Sequence, residues 1–480
     1  MKVRKLIAAL ALLIAVFVCL ASAHYLLPPE HDSLWVDVPR DCRLEASALP
    51  ASSTRVFVGL NGKYGSGSSP VDARDGSTAD SFDRILRCYS EGCPDAQHPE
   101  RSVKRTDNLI VCLSPGTFQT KGNYDYIIDQ RHQSQQGFTV GKGWKIHGAG
   151  RDLTTLKLIA FVSNTQEHNP LKYPLDSGNG LVIGTNSDDA SNVEISDLTI
   201  DANYPDLKSR ARATGINVLK LEAIHLRSNF GGHWIHDINI INASGEMDLR
   251  WEAFPVLIMS ILGSPAQNKG NLIENVTMSR SFGETGSAIA IANVSAEVRN
   301  CRVAGYPIGY GGWKMENVSF HDNIAENTNY GFNIDSLQNT AIRIEDNQII
   351  HPRSYGLVIG GGAPFTNFSI RRNTISINRS RVRGLVFQGN VTSSIVQANI
   401  FRAENSSASG LAIDNLVAHG AGVNRNNNYQ SNEIAAGMST AFEPEASKPQ
   451  NCFFHNHDEH GRPRPDMPDN HNGPCVPHLP

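Results

Sequence analysis

The sequence predicts an all-β chain: a right-handed parallel β-helix, or solenoid, with an N-terminal helix-containing cap and an irregular C-terminal extension. Two observations carry the prediction. One phrase is written four times, as Tyr330-Gly331-Phe332-Asn333-Ile334-Asp335, Tyr355-Gly356-Leu357-Val358-Ile359-Gly360, Arg383-Gly384-Leu385-Val386-Phe387-Gln388 and Ser409-Gly410-Leu411-Ala412-Ile413-Asp414, with its glycines 25, 28 and 26 residues apart. A second phrase recurs between them, as in Ile344-Glu345-Asp346-Asn347-Gln348-Ile349 and Ile370-Arg371-Arg372-Asn373-Thr374-Ile375. Apolar/polar alternation at a repeat of about 26 residues describes stacked units too small to bury a face alone. Each strand then pairs with its copy one coil later, about 4.8 Å along the axis. Asn-Gly and Asp-Gly hairpin turns are scarce between the strands, which disfavours a sandwich or propeller. The asparagine of the second phrase is expected at a left-handed turn position, with stacked Asn side chains bonding one another.

Taken in order, residues 1–23 read as a targeting segment: Lys2, Arg4 and Lys5 precede an apolar run over 6–20, and Ala21-Ser22-Ala23 supplies a cleavage pattern. The protein is therefore expected to be secreted, periplasmic or extracellular. An uncleaved anchor is the alternative, and no stable membrane insertion is expected after cleavage. Residues 24–140 are the expected cap and first strands. Val56-Phe57-Val58 is a strand, residues 77–89 set Phe82, Ile85, Leu86 and Tyr89 on one helical face behind a Ser77 or Thr78 cap, and 109–113 return as a strand. Residues 141–435 are the expected β-helix. Its early coils begin the second phrase at Ile195, Ile235 and Ile273, 40 and 38 residues apart, and the extra length is expected in loops 202–214 and 243–254 on the binding face. Residues 436–480 leave the repeat for an irregular tail closed by Cys452 and Cys475. Cys42, Cys88, Cys93 and Cys112 cluster as further disulfide candidates, and Cys301 occupies an apolar slot as a buried free thiol.

With 480 residues, 40% of them hydrophobic and 19% charged, the chain can bury a large core, and its net charge of −4 offers nucleic acid no basic footprint. No spacing of Cys or His suggests a metal, and no cofactor is called for, with calcium left open. Asn275 and Asn317 head Asn-x-Ser/Thr sequons but fall in the turn slot of the repeat, which composition explains without glycosylation.

The order strand, Asp75-Gly76-Ser77-Thr78, helix, strand, Pro115-Gly116-Thr117-Phe118, then Trp144-Lys145-Ile146-His147-Gly148-Ala149-Gly150 resembles the opening of pectate-lyase-like right-handed β-helix proteins. The resemblance covers roughly residues 55–435 and implies the fold. That superfamily includes polysaccharide lyases, glycoside hydrolases, uronate epimerases, phage tailspikes and proteins of no known activity, so chemistry must be argued from residues. The polygalacturonase motifs are not assembled here, and the Trp-Ile-Asp-His run of pectate lyases has only a scrambled counterpart in Trp234-Ile235-His236-Asp237.

One early coil crowds Lys220, His225, Arg227, His233 and His236. A lyase needs a base for the proton α to a uronate carboxyl and a cation for the resulting anion, so His233, Arg227 and Lys220, with Arg250 from the second long loop, are the candidate catalytic residues. Arg210, Arg212, Arg280 and Arg353 are expected to form a stripe for the carboxylates of an anionic polysaccharide, with Tyr204 and Trp251 stacking on sugar rings. Strand alternation puts Asn217, Asn333, Asp335, Gln388 and Asp414 on the exposed face, and Asp335 is a further substrate contact. Asp335 and Asp414, three coils or about 14 Å apart, are too distant for a glycosidase pair. The expected function is a carbohydrate-active protein of lyase type acting on an acidic polysaccharide. A glycoside hydrolase, a uronate epimerase and a non-catalytic glycan-binding scaffold are the alternatives.

Overall fold

The glycine-led phrases stack side by side, Tyr330 beside Tyr355 and Tyr355 beside Arg383, and the second phrases do likewise, Ile344 beside Ile370 and Ile370 beside Val396. This is the pairing of a parallel β-helix. The structure is a computed structural model describing residues 40–43, 49–50, 52–60, 65–93, 102–123, 137–163, 177–185, 189–245, 253–260, 262–280, 286–335, 339–361, 364–415, 424, 426–442 and 451–467. Among these the strands gather mainly into a 23-stranded back sheet and a 12-stranded front sheet. Front-sheet strands β1 (Ser177–Gly184), β2 (Val218–Arg227), β3 (Val256–Met259), β4 (Ser287–Ala292), β5 (Ile308–Trp313), β6 (Tyr330–Asp335), β7 (Tyr355–Gly360), β8 (Ser380–Phe387) and β9 (Ser409–Asn415) lie in chain order. Their inward positions make one continuous apolar column, Ile224, Val256, Ile289, Tyr310, Phe332, Leu357, Leu385 and Ile413, within the core. Each side chain in the column is covered above and below by its counterparts, so burial is a property of the stack and not of any single coil.

The corner after the second phrase holds a ladder of buried asparagines, Asn323, Asn347, Asn373, Asn399, Asn432 and Asn456. Each Nδ2 donates to the Oδ1 of the next at 2.9 to 3.1 Å. The left-handed residue is not the asparagine, as the sequence suggested, but the one before it: Asp346 (φ 57), Arg372 (φ 54) and Ala398 (φ 54). The turn residue must point outward, whereas the asparagine turns in to satisfy buried backbone groups. Cys301 fills the ladder slot one coil earlier, its N–H donating to Asn323 Oδ1 at 3.0 Å, and burial pushes its thiol up to about 12. Still earlier coils fill the slot with Val276, Ile238 and Leu198. Asn275 and Asn317 are both left-handed, at φ 53 and 54.

At the N-terminal end lie α1 (Arg40–Arg43) and α2 (Ala79–Glu91). Thr78 caps α2 through a capping box with Ser81, and Phe82 reaches the core, 5.4 Å from the Phe118 ring and 5.8 Å from Phe138. Disulfides join Cys42 to Cys112 and Cys88 to Cys93, and Cys301 is free. Cys452 is disulfide-bonded, whereas Cys475 lies outside the described residues. So does the expected targeting segment, and among the described residues no helix is long and apolar enough to cross a membrane.

The first long loop is in fact largely helical: α3 (Tyr204–Ala213) starts behind the left-handed Asn203 with Pro205 in its first turn, and buries Tyr204, Leu207, Lys208 and Ala211. A proline there costs no intrahelical hydrogen bond.

Candidate functional site

The outer face of β2 carries Lys220, Glu222, His225 and Arg227. Strict alternation would separate Glu222 from His225. The strand is kinked where Ala223 and Ile224 both turn to the core, and both their N–H groups bond the Pro255 carbonyl at 3.0 Å. His225 thereby joins the same side as Glu222. Lys220 Nζ lies 3.1 Å from Glu222 Oε1, which also accepts from the Phe254 N–H at 2.9 Å, and Glu222 Oε2 lies 3.4 Å from His225 Nδ1. The Lys220, Glu222 and His225 side chains are 8%, 1% and 0% exposed. Burial drives the Glu222 carboxyl upward, but the charge of Lys220 and the hydrogen bonds from His225 and from the Phe254 N–H outweigh it and hold it at about 2. Burial holds the His225 imidazole below its ordinary value. With Nδ1–H donating to the Glu222 carboxylate, Nε2 is the basic nitrogen of a neutral His225. Beside Lys220 on β1 lies Asn179, buried, with no hydrogen-bond partner for either its Oδ1 or its Nδ2. Each unmet polar atom costs about 1–3 kcal/mol, so a ligand group reaching Asn179 would recover that deficit. Arg227 continues the row, half-buried, its N–H held by Thr185 Oγ1 at 2.7 Å.

Along the same face, Leu257, Ala290 and Ala292 make an apolar floor with Phe254, Met259 and Trp313 packed on it. Further along, the Tyr330 and Tyr355 rings stack at 5.0 Å, the Arg383 guanidinium lies 5.7 Å from the Tyr355 centroid, and Arg383 pairs with Asp414 at 3.0 Å.

Of the sequence-predicted residues, the fold brings Lys220 and Arg227 together on β2. It separates His233 from them. His233 lies in the turn before back-sheet strand Trp234–Ile241, fully buried, its Nδ1 accepting from the Val193 N–H at 3.4 Å, and burial pushes its pKa down to about 3. It is a neutral core histidine and cannot reach a substrate bound at β2. Tyr204 is buried at the start of α3, so its ring offers no stacking face. Arg210 donates to the Ile159 carbonyl at 2.7 Å, and Arg212 is exposed on the same helix. The Arg280 guanidinium sits 5.5 Å over the Tyr306 ring, and Arg353 is exposed in the turn before β7. All four lie on the same side of the coil, in the connections that lead from a back-sheet strand to the next front-sheet strand, with Arg210 engaged by the Ile159 carbonyl and Arg280 by the Tyr306 ring. Arg250 and Trp251 lie outside the described residues. Asp335 ends β6, half-buried, beside Gly360. Asp414, expected to be exposed, does face outward, in a column with Asn333, Val358 and Val386, but is buried, with its carboxylate 3.0 Å from the Arg383 guanidinium.

Glu222 and Asn179 went unassigned in the sequence. A charged residue two places after Lys220 in an apolar strand was a readable signal for Glu222, whereas Asn179 stands in a run of glycines with nothing to single it out. Among the described residues no group of three or more His, Cys, Asp and Glu is placed to hold a metal ion.

Fold and coil define the class: a parallel β-helix solenoid with a polar row and an aromatic strip on one outer face. No family model matches the sequence, and no curated protein does. Among solved structures, it is similar to the family 28 exopolygalacturonase of Yersinia enterocolitica (11% identity, 87% of this chain and 80% of that chain, TM-score 0.43). It is similar also to the surface adhesin PfbA of Streptococcus pneumoniae (12%, 77% and 96%, 0.43) and the mannuronan C-5 epimerase AlgE6 A-module of Azotobacter vinelandii (12%, 73% and 85%, 0.38). At these identities and TM-scores the likeness is one of fold alone, and the parallel β-helix itself rests on the strand pairing.

Proposed function

We propose that the chain binds an acidic polysaccharide along the outer face of the front sheet and cleaves it by β-elimination at the β2 row. The observation that carries this reading is the Lys220–Glu222–His225 chain of contacts, with Arg227 continuing the row and the unsatisfied Asn179 amide beside Lys220. In the elimination, His225 Nε2, buried in the unliganded chain and uncovered as the polysaccharide seats, takes the proton α to the uronate carboxyl, and Lys220 and Arg227 offset the charge that develops on that carboxylate. The C–O bond to the leaving sugar breaks as the C=C bond forms, the departing oxygen takes a proton from solvent water, and the protonated His225 returns its proton to solvent. Hydrolysis is disfavoured because the outward carboxylates described on the front sheet, Glu222, Asp335 and Asp414, lie coils apart, further than about 10 Å.

The test is the ultraviolet absorbance of unsaturated uronate while the protein is incubated with polygalacturonate, polymannuronate, polyguluronate and hyaluronan, with and without calcium. Absorbance should rise, and Arg227→Ala should slow it by about 10²–10³-fold. New reducing ends without absorbance overturn elimination. A second reading, glycan binding without turnover, is favoured by the near-complete burial of Lys220, Glu222 and His225, and is distinguished by retained binding with neither product.

A further inference from the structure

The back sheet carries an exposed aromatic that the β2 row does not use. Trp234 opens strand Trp234–Ile241 and is 38% exposed. Its indole does not stand off the sheet. It lies flat on His236, with ring centroids 3.9 Å apart and planes 24° from parallel. One face is therefore covered and the edge is fixed, because Nε1–H donates to Glu274 Oε1 at 2.9 Å and Glu274 is itself clamped by Arg299 Nη2 at 2.7 Å. His236 beneath is held by Glu194 at 3.4 Å and Asp237 at 2.9 Å. What remains is a rigid, flat apolar plate bordered by hydrogen-bonding groups.

We propose that Trp234 is the platform of a second carbohydrate site, one that stacks a neutral pyranose ring, independent of the front sheet. The plate is preorganised, so a sugar settling its C–H face on the indole pays little ordering cost. The charges decide the class of sugar. The cations around the plate are already engaged: Lys145 pairs with Asp41 and Glu194, Arg299 with Glu274 and Glu297, and Arg151 with Asp237. The border is therefore balanced or slightly acidic, which disfavours a uronate and leaves the carboxylate and guanidinium edges to accept from and donate to hydroxyls. The competing role for the indole is to shield the His236–Glu194 contact from water. The two differ in what they require of the side chain: shielding needs only apolar bulk, whereas stacking needs a ring face.

The test is calorimetry and tryptophan fluorescence of the full chain with mannohexaose, xylohexaose, cellohexaose and chitohexaose. At least one should bind the unsubstituted protein. Trp234→Leu, which keeps an apolar cover over His236 and so preserves the fold, should weaken that binding by about tenfold or more. Trp313→Leu on the front sheet should leave it unchanged, and Trp234→Leu should leave any action on polyuronates unchanged. Absence of binding by all four hexaoses, or equal binding by Trp234→Leu, overturns the proposal whatever the outcome of the uronate assay.

Discussion

Lys220 is almost fully withdrawn from water, and Glu222 is what makes that burial tolerable. Removing one member of a buried pair strands the other charge at a cost of about 3–5 kcal/mol. Glu222→Gln should therefore lower the unfolding free energy by about that amount, measured by urea denaturation at neutral pH. The pH dependence has a definite sign. The Glu222 carboxyl falls from an ordinary 4.5 to about 2 on folding, so its stabilisation is complete above the higher value and disappears as pH falls through the lower. Glu222→Gln should flatten that part of the acid limb, and an unchanged acid limb would mean that the carboxyl is not held down as the geometry requires.

At the scale of elements, the asparagine ladder is the feature that depends most on its neighbours. Asn373 Oδ1 accepts from the Asn347 N–H at 3.0 Å and from Asn347 Nδ2 at 2.9 Å, while its own Nδ2 donates to the Ile344 carbonyl at 2.7 Å and to Asn399 Oδ1 at 2.9 Å. Asn373→Leu removes all four bonds and leaves buried donors unmet, at about 1–3 kcal/mol for each group left without a partner. Earlier coils hold Val276, Ile238 and Leu198 in the same slot without penalty because their neighbours there are apolar too. Asn373→Leu should therefore destabilise by several times the effect of Val276→Leu, as read by chemical denaturation. The residue type of the ladder was legible in the repeat, since asparagine recurs there at the coil period. Which residue takes the left-handed conformation was not, because Asp346 and Asn347 are both acceptable turn residues and only the stacking of the next coil separates them.

Across the whole molecule, the Cys42–Cys112 disulfide ties α1 to the first coils over a separation of 70 residues. It also brings Asp41 to Lys145, 2.7 Å away, beside Glu194. Replacing both cysteines by serine should cost about 2–5 kcal/mol, seen as a lower thermal midpoint that reductant no longer shifts through this bond. A solenoid frays from its ends, so early loss should be read at the N-terminal coils by hydrogen exchange, with the Tyr330 to Arg383 region protected longer.

By itself the sequence determined the solenoid. Period and alternation are local properties, and a coil that repeats must meet its own copy, so the parallel pairing and the inward columns follow from residues within one phrase and the next. Only the tertiary structure decided which side chains share a site and which are in water. His233 and Lys220 are thirteen positions apart in one coil yet face different sheets. Tyr204 looks like a loop aromatic until α3 buries it, Glu222 and His225 meet only through the kink at Ala223, and Asp414 faces outward yet is withdrawn from water beside Arg383 of the preceding coil. The reason is physical. Alternation states the side of the strand from which a residue leaves, but register and cover belong to neighbouring coils, which contribute no signal at the residue concerned.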